Sequence, residues 1–311
     1  MKKIDVSVII PAYNAAETIG NLVNKILRET HVAIELIIIN DGSIDDTANV
    51  LCKIHDDRLV LIEQANQGVY AARNAALAIH QGKWVMFLDA DDDIAEGFVD
   101  MRWQVAMATQ ADVVIFNAWH SGDDYRFVHR KQPYNMSLSG HNWIRHCVTQ
   151  REWPHYLWLQ MVRSSYIKQH SLCFQQGKSH KDILWTVYLA VNNGRFYVSD
   201  IKDYTYINNN TSITHRSDYF DVRAMSYIDV IKEIIRLAKL EQNKKINLFL
   251  YRHALVETRH FLGLYRKKVK DKPIVKTRFQ TNISLVSLFR GIRSIGDMFF
   301  FIKLVNKIYL R

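Results

Sequence analysis

Between residues 6 and 92 the chain repeats one pattern: a short apolar run rich in β-branched residues, a polar break, then a stretch with helical spacing. Val6–Ile10 is β-branched and apolar but for Ser7, as expected of a strand covered on both faces. Pro11-Ala12-Tyr13-Asn14 ends it, and from Ala16 to Glu29 the residues Ile19, Leu22, Val23, Ile26 and Leu27 fall on one stripe. Leu36–Ile39 is a second run, cut by Asn40-Asp41-Gly42-Ser43, after which Asp45 or Asp46 can cap a helix through Ala48, Leu51 and Cys52. Val60–Ile62, the Ala-rich Gly68–His80 and Trp84–Leu88 continue the alternation, and the last run meets Asp89-Ala90-Asp91-Asp92. This order predicts an α/β protein with a mostly parallel, doubly wound, Rossmann-like sheet and right-handed crossovers. Ligands of such sheets bind beyond the carboxyl ends of the strands, so Pro11–Asn14, Asn40–Ser43 and Asp89–Asp92 share one rim.

Farther along, residues 98–110 read as a helix and Asp112–Asn117 as a strand. Residues 121–200 read as irregular and aromatic-rich, and Tyr204–Ile207 as a strand. Tyr219–Leu240, Ile246–Leu264 and the segment 283–310 are helical in pattern. With 48% hydrophobic and 23% charged residues the chain is of globular type, long enough to bury a sizeable core. Its cysteines, Cys52, Cys147 and Cys173, form no paired motif, which fits a reducing compartment and offers neither a disulfide framework nor a zinc knuckle. No apolar run approaches the roughly 18 residues of a membrane span. Val6–Ile10 is too short for a secretory core, so a cytoplasmic location is expected. The net charge of +10 is uneven: residues 244–311 hold 16 Lys and Arg against 3 acids, leaving 25 against 28 in the rest.

At a turn, Asp89 and Asp91 can converge on one hard divalent cation, Mg²⁺ or Mn²⁺, which takes oxygen ligands and shares them with phosphates; an acidic turn has the same composition. Asp92 and Asp93 fit the cap of the next helix. Asp41, after a buried strand, can accept hydrogen bonds from a nucleoside base or ribose; an ordinary Asx turn would look alike. The dinucleotide and P-loop glycine fingerprints are absent.

Val8-Ile9-Ile10-Pro11-Ala12-Tyr13-Asn14 with Glu17, Ile38-Ile39-Asn40-Asp41-Gly42-Ser43 with Asp46-Thr47, Asn66-Gln67-Gly68 with Ala72-Arg73-Asn74, and Phe87-Leu88-Asp89-Ala90-Asp91-Asp92 stand in order. Together they closely resemble the family 2 glycosyltransferases, and the resemblance runs to about residue 215. It implies a GT-A fold over residues 1–217, with 1–117 binding a nucleotide-sugar and 118–217 facing the acceptor. It also implies a UDP-sugar donor, a divalent cation and inversion at the anomeric carbon. Position by position, Pro11, Ala12, Tyr13 and Glu17 would line the nucleoside pocket with Asn66 and Gly68, and Asp41 would meet the uracil or ribose. Arg73 would face the diphosphate or base, Asp89 and Ala90 the ribose or sugar side, and Asp91 the metal. Asp182 takes the position of the general base that an inverting displacement needs, with a helix N-cap as the structural alternative; Lys181 stands where the family often has Glu. Trp153, Trp158, His180 and Lys181 are expected on the acceptor side, where a Trp face suits a sugar ring, although core packing suits a Trp equally. Ser212 and His215 lie in a segment resembling one that closes over the diphosphate.

The basic region, 218–311, lies mostly outside the resemblance. On a helical wheel Arg293, Lys303, Lys307 and Arg311 share one quadrant, opposite Ile295, Phe299, Ile302, Val305 and Tyr309. Such a helix can lie in an anionic membrane interface, pack on the body, or pair with a second copy. A peripheral membrane position would suit a glycan or lipid-linked acceptor of surface polysaccharide or lipopolysaccharide synthesis. A nucleotidyltransferase on a similar sheet would need a Gly-rich basic loop that Pro11–Asn14 lacks, and the tail carries no nucleic-acid-binding module.

Overall fold

Apolar side chains on alternate residues can enter two different cores only if the strand is covered on both sides, and the structure, a computed structural model, shows this at the centre of its sheet. It describes residues 3–28, 31–120, 126–206 and 218–310. In β1 (Val6–Ala12), Val6, Val8 and Ile10 enter one hydrophobic core and Ile9 the other. In β2 (Ile34–Asp41), Leu36 and Ile38 oppose Ile37 and Ile39 in the same way. Helices α1 (Ile19–Leu27) and α2 (Thr47–Cys52) cover the first face; α3 (Val69–Ile79), which follows β3 (Leu59–Gln64), covers the second. After β4 (Trp84–Phe87) come the two-residue β5 (Asp93–Ile94), α4 (Phe98–Thr109) and β6 (Val113–His120).

The sheet order is β3-β2-β1-β4, all parallel, as the alternating pattern requires. Beyond β4 the sheet is mixed. The short β9 (Gln160–Arg163) runs antiparallel between β4 and β6, and β10 (Arg195–Tyr206) follows, parallel to β6 and antiparallel to β5. Two small strands, β7 (Arg126–Phe127) and β8 (Met136–Ser139), pair with β6 and β10. The parallel reading thus holds for the N-terminal half.

The stretch 121–200 is more regular than its composition suggests. It holds α5 (Gly140–Gln150), α6 (Ser164–Gln169) and α7 (Asp182–Val191). Ser139 caps α5 by accepting from the Asn142 N–H, and the face bearing Trp143, Ile144, Cys147 and Val148 is buried.

Beyond 218 the long α8 (Tyr219–Leu240) and α9 (Lys244–Lys267) pack together, followed by α10 (Lys272–Asn282), α11 (Leu285–Phe289) and α12 (Ile295–Val305). The single helix expected over 283–310 is broken because Ser284 and Ser294 each cap a new start, accepting from the N–H of Ser287 and Asp297. One continuous core runs from Ile9 through Trp185 and Ile231 to Leu304 and Ile308, so these helices are built onto the body. No helix among the described residues is long and apolar enough to cross a membrane.

Candidate active site

β1 ends in a turn that places Asn14 in left-handed backbone, φ 51°, which Asn tolerates better than most residues. The turn is laced to the loop after β2. Asn14 N–H donates to Ser43 Oγ at 2.9 Å, Ile44 N–H to Asn14 Oδ1 at 2.9 Å, and Ala15 N–H to Thr47 Oγ1 at 2.8 Å. The Thr18 hydroxyl donates to the Ala90 carbonyl at 2.8 Å, tying the same loop to the acidic turn after β4. The three polar segments therefore meet at one rim, at the point where strand order reverses between β1 and β4. Ala12 is buried beneath it, Pro11 is half-buried, Tyr13 is 47% exposed and Glu17 is exposed.

Asp41 is buried, and both its oxygens are engaged. Oδ1 accepts from Gln64 Nε2 at 2.7 Å and Gln67 N–H at 2.9 Å, and Oδ2 accepts from Gly68 N–H at 2.8 Å. Its carboxylate thus fixes the loop carrying Asn66 and Gly68 against the rim. Gly42, at φ 71°, cannot be replaced: a Cβ there would sit 2.8 Å from Asn66 N.

From the first turns of α3, Arg73 reaches back to the acidic turn, its Nη2 2.6 Å from Asp89 Oδ1. The guanidinium is nearly buried, 5.9 Å from the ring centres of Tyr70 and Phe174, and its Nε has no partner. Burial pushes the Asp89 carboxyl up, as do the charges of Asp91 and Asp182, while Arg73 opposes them. Asp91 is exposed on the rim. Asp92 turns inward to accept from the Tyr204 hydroxyl, and Asp93 pairs with Lys25. Neither caps α4, which starts at Phe98 after Gly97.

Asp182 opens α7 directly after the N-cap residue Lys181, and its side chain makes no cap bond. It faces the rim instead. Tyr70 Oη donates to Oδ1 at 3.2 Å, and His155 Nε2 lies 3.8 Å from Oδ2. Tyr70 Oη also accepts from Lys181 N–H at 2.9 Å, fixing the start of the helix. Asp89, Asp91 and Asp182 thus form one electrostatic group drawn from two distant stretches of chain.

Other expected acceptor contacts are placed differently. Trp158 is 2% exposed, stacked between Tyr204 at 4.4 Å and Tyr156 at 4.9 Å, so neither ring face is open to a sugar. Trp153 is packed between Trp143 and His253. Both serve the core, since large aromatic surface is most stabilised where both faces are covered. Lys181 turns away from Asp182 and pairs with Asp229 on α8 at 3.3 Å. His180, in left-handed backbone at φ 58°, packs 5.0 Å from the ring of Tyr227, and burial pushes its imidazole down to about 4. Ser212 and His215 lie outside the described residues. Tyr70 and His155 were not legible as site residues. Tyr70 stands two residues past Gly68 in an ordinary apolar helix pattern, and only the packing of α3 against α7 turns its hydroxyl on Asp182.

No three His, Cys, Asp or Glu side chains gather into a metal cage among the described residues. An exposed Asp91 beside Asp89 suits a hard cation that takes its remaining oxygens from phosphate and water.

Residues 7–173 match the model of a family described as glycosyl transferase family 2. An uncharacterised glycosyltransferase of Escherichia coli K12, YibD, is 29% identical over 254 residues, covering 79% of this chain and 73% of that protein. A stretch of 88 residues is 44% identical to the E. coli enzyme WfaP, a UDP-Glc:α-D-GlcNAc-diphosphoundecaprenol β-1,3-glucosyltransferase. That match takes in 28% of this chain and only 35% of WfaP. Several other curated relatives are matched over less than half their length. Among solved structures, Staphylococcus aureus TarS 1–349 in complex with UDP-GlcNAc superposes with a TM-score of 0.73 at 19% identity, over 91% of this chain and 83% of that one. The mixed sheet with its helical C-terminal region is therefore a GT-A fold.

Proposed function

The chain belongs to glycosyl transferase family 2, and we propose that it moves a hexose or N-acetylhexosamine from a UDP-sugar to a hydroxyl of a glycan or lipid-linked acceptor, with inversion. The observation that carries this reading is the meeting of the nucleoside loops, the Asp89-Ala90-Asp91 turn and Asp182 at one rim. Pro11, Ala12, Tyr13, Glu17 and the loop held by Asp41 enclose the nucleoside; Arg73 and Asp89 face the diphosphate and sugar. Asp91 would hold Mn²⁺ or Mg²⁺, which would supply positive charge against the phosphate oxygens of the leaving UDP. Asp182 takes the proton from the acceptor hydroxyl, whose oxygen attacks the anomeric carbon from the side opposite UDP. Tyr70 and His155 hold the Asp182 carboxylate in place. The UDP-GlcNAc bound by TarS and the lipid-diphosphate acceptor of WfaP support the substrate classes.

We place the enzyme at the cytoplasmic face of the membrane, in surface polysaccharide synthesis. Part of the side of α12 predicted to be apolar faces outward: Ile295 is 78%, Phe299 69% and Ile302 49% exposed, whereas Val305 and Tyr309 are half-buried; Val286 on α11 is 68% exposed. Packing onto the body uses a different stripe, Phe300, Leu304 and Ile308. The region from 244 to 311 carries 16 Lys and Arg against 3 acids, and that combination of charge and exposed apolar surface matches an anionic bilayer.

The test is UDP release across nucleotide-sugars, with and without Mn²⁺, followed by transfer to an acceptor. Asp182→Asn is expected to bind donor normally and to lose about 10²- to 10⁴-fold in transfer; transfer at the wild-type rate would refute the assignment of the base. Asp91→Ala is expected to weaken metal-dependent donor binding.

A further inference from the structure

Behind the acceptor side of the rim lies a cavity of about 340 Å³ lined by Arg223 and Tyr227 of α8 and Arg259, His260, Gly263, Leu264, Lys267 and Lys268 near the end of α9. No acid lines it among the described residues. Arg259 is paired with Asp297 at 2.7 Å. The charges of Arg223, Lys267 and Lys268 meet no carboxylate among the described residues. Arg223 is held over the rings of Tyr219 and Tyr227, at 5.9 and 5.8 Å, with its Nε buried and unpartnered. Lys268 Nζ lies 5.3 Å from the ring centre of Phe220. Arg223 is half-buried while Lys267 and Lys268 are exposed, so the wall is a solvent-open cationic surface whose field favours an anion. Glu257, the nearest buried acid on α9, keeps its proton: burial, with the Asp182 charge, pushes its carboxyl up to about 8.

Gly263, which is exposed, leaves the α9 side of the cavity open. Gly263 sits inside α9, where Gly is less stable than Ala by about 1 kcal/mol, and a Cβ there would meet nothing within 4 Å. The wall is shared with the site: Tyr227 packs 5.0 Å from His180, two residues before Asp182, and 6.2 Å from His260. The charge of Asp182 is felt at Tyr227, so the cavity adjoins the side of the rim that carries the base.

The geometry points to this cavity as the seat of a phosphate group carried by the acceptor, bound by Arg223, Lys267 and Lys268. This rests on the glycosyltransferase reading and narrows its acceptor to phosphate-bearing ones. A prenyl diphosphate at the reducing end and a phosphodiester of a polyol chain present the same chemistry. Arg suits it because its planar fork meets phosphate oxygens in pairs.

The experiment titrates the full chain, saturated with UDP and Mg²⁺, with geranyl diphosphate and in a second arm with glycerol 3-phosphate, by calorimetry. Donor hydrolysis is read in parallel. Saturable binding is expected, weakened at least tenfold by Arg223→Gln and by the Lys267→Gln/Lys268→Gln pair, with hydrolysis unchanged. Gly263→Leu, which suits the helix and fills the cavity, should abolish binding without lowering the melting temperature. Tighter binding of geranyl diphosphate identifies a lipid diphosphate, and tighter binding of glycerol 3-phosphate a polyol phosphate. Affinity that these variants leave unchanged, or no binding by the wild type, overturns the inference while leaving the glycosyltransferase reading intact. Absence of hydrolysis with every nucleotide-sugar would count against that reading instead.

Discussion

Replacing Arg102 by Met removes the positive half of a fully buried ion pair. Arg102 is inaccessible and Asp203 nearly so; Nε and Nη2 reach the two carboxylate oxygens at 2.9 and 2.6 Å, and Nη1 donates to the Trp158 carbonyl at 2.5 Å. The guanidinium also lies 3.9 Å and 4.4 Å from the ring centres of Phe98 and Phe116, contacts that Met largely refills. What Met cannot supply is charge. Breaking a buried pair from one side costs about 3–5 kcal/mol because the other charge is left without compensation. The orphaned Trp158 carbonyl adds about 1 kcal/mol or more. We expect a loss of about 4–6 kcal/mol, a large part of the roughly 5–15 kcal/mol that holds a typical domain. Urea denaturation followed by tryptophan fluorescence would read it as a lower midpoint at unchanged slope. Arg102→Met combined with Asp203→Leu removes both charges and should recover most of the loss. A single variant that loses less than about 1 kcal/mol, or a double variant no better than the single, would refute the reasoning.

Stability should peak near pH 6.5. Glu257 keeps its proton in the fold up to about 8 and in the unfolded chain only to 4.5, so its contribution is full below 4.5 and is lost as pH rises through 8. Burial holds His253 down to about 3, and His129 and His180 down to about 4; their contributions are full above 6.5 and lost as pH falls through those values. Between pH 6.5 and 8 the unfolding free energy should therefore fall by up to about 1.4 kcal/mol per pH unit, read as lower urea midpoints, and Glu257→Gln should flatten that arm; an unchanged slope in the variant would contradict the assignment. Asp41→Asn would aim an amide N–H₂ at donors that now meet a carboxylate. We expect a loss of about 2 kcal/mol and a donor KM raised at least tenfold, and a variant with wild-type donor KM would show that the Asn66–Gly68 loop does not need this anchor. The double variant Ile295→Ser, Phe299→Ser should cease to sediment with phosphatidylglycerol vesicles while retaining UDP-sugar hydrolysis; equal sedimentation would exclude this patch as the membrane contact.

The central sheet was legible because Val6–Ile10, broken only by Ser7, and Leu36–Ile39 are apolar runs, and the polar segments that end them can go nowhere but to the strand ends. The middle of the chain was not legible because its burial rests on partners rather than on polarity. Gln160, the first residue of β9, looks exposed by type yet is inaccessible, accepting from Trp185 Nε1 at 3.0 Å and donating to Thr186 at 3.2 Å. Arg102 misleads in the same way. At the site, the residues of the rim loops could be read from their order, whereas the partners of Asp182 could not. Tyr70 lies 112 residues before it, and no local spacing records that contact. Trp153 and Trp158 err in the other direction: their chemistry suits a sugar, but rings close enough to stack on both faces claim them first.

The core that joins Ile9 to Ile308 bears on how the protein is made. Every loop of the rim down to Asp182 has been synthesised while more than 100 residues remain to be translated. At about 5–20 residues per second, the nascent chain waits several seconds with apolar faces of α5 and α7 uncovered, until α8 and α9 arrive to close over them. Truncations that spare the whole rim should therefore yield insoluble chains, and a catalytic half grafted onto a foreign tail would need that tail to reproduce the missing layer.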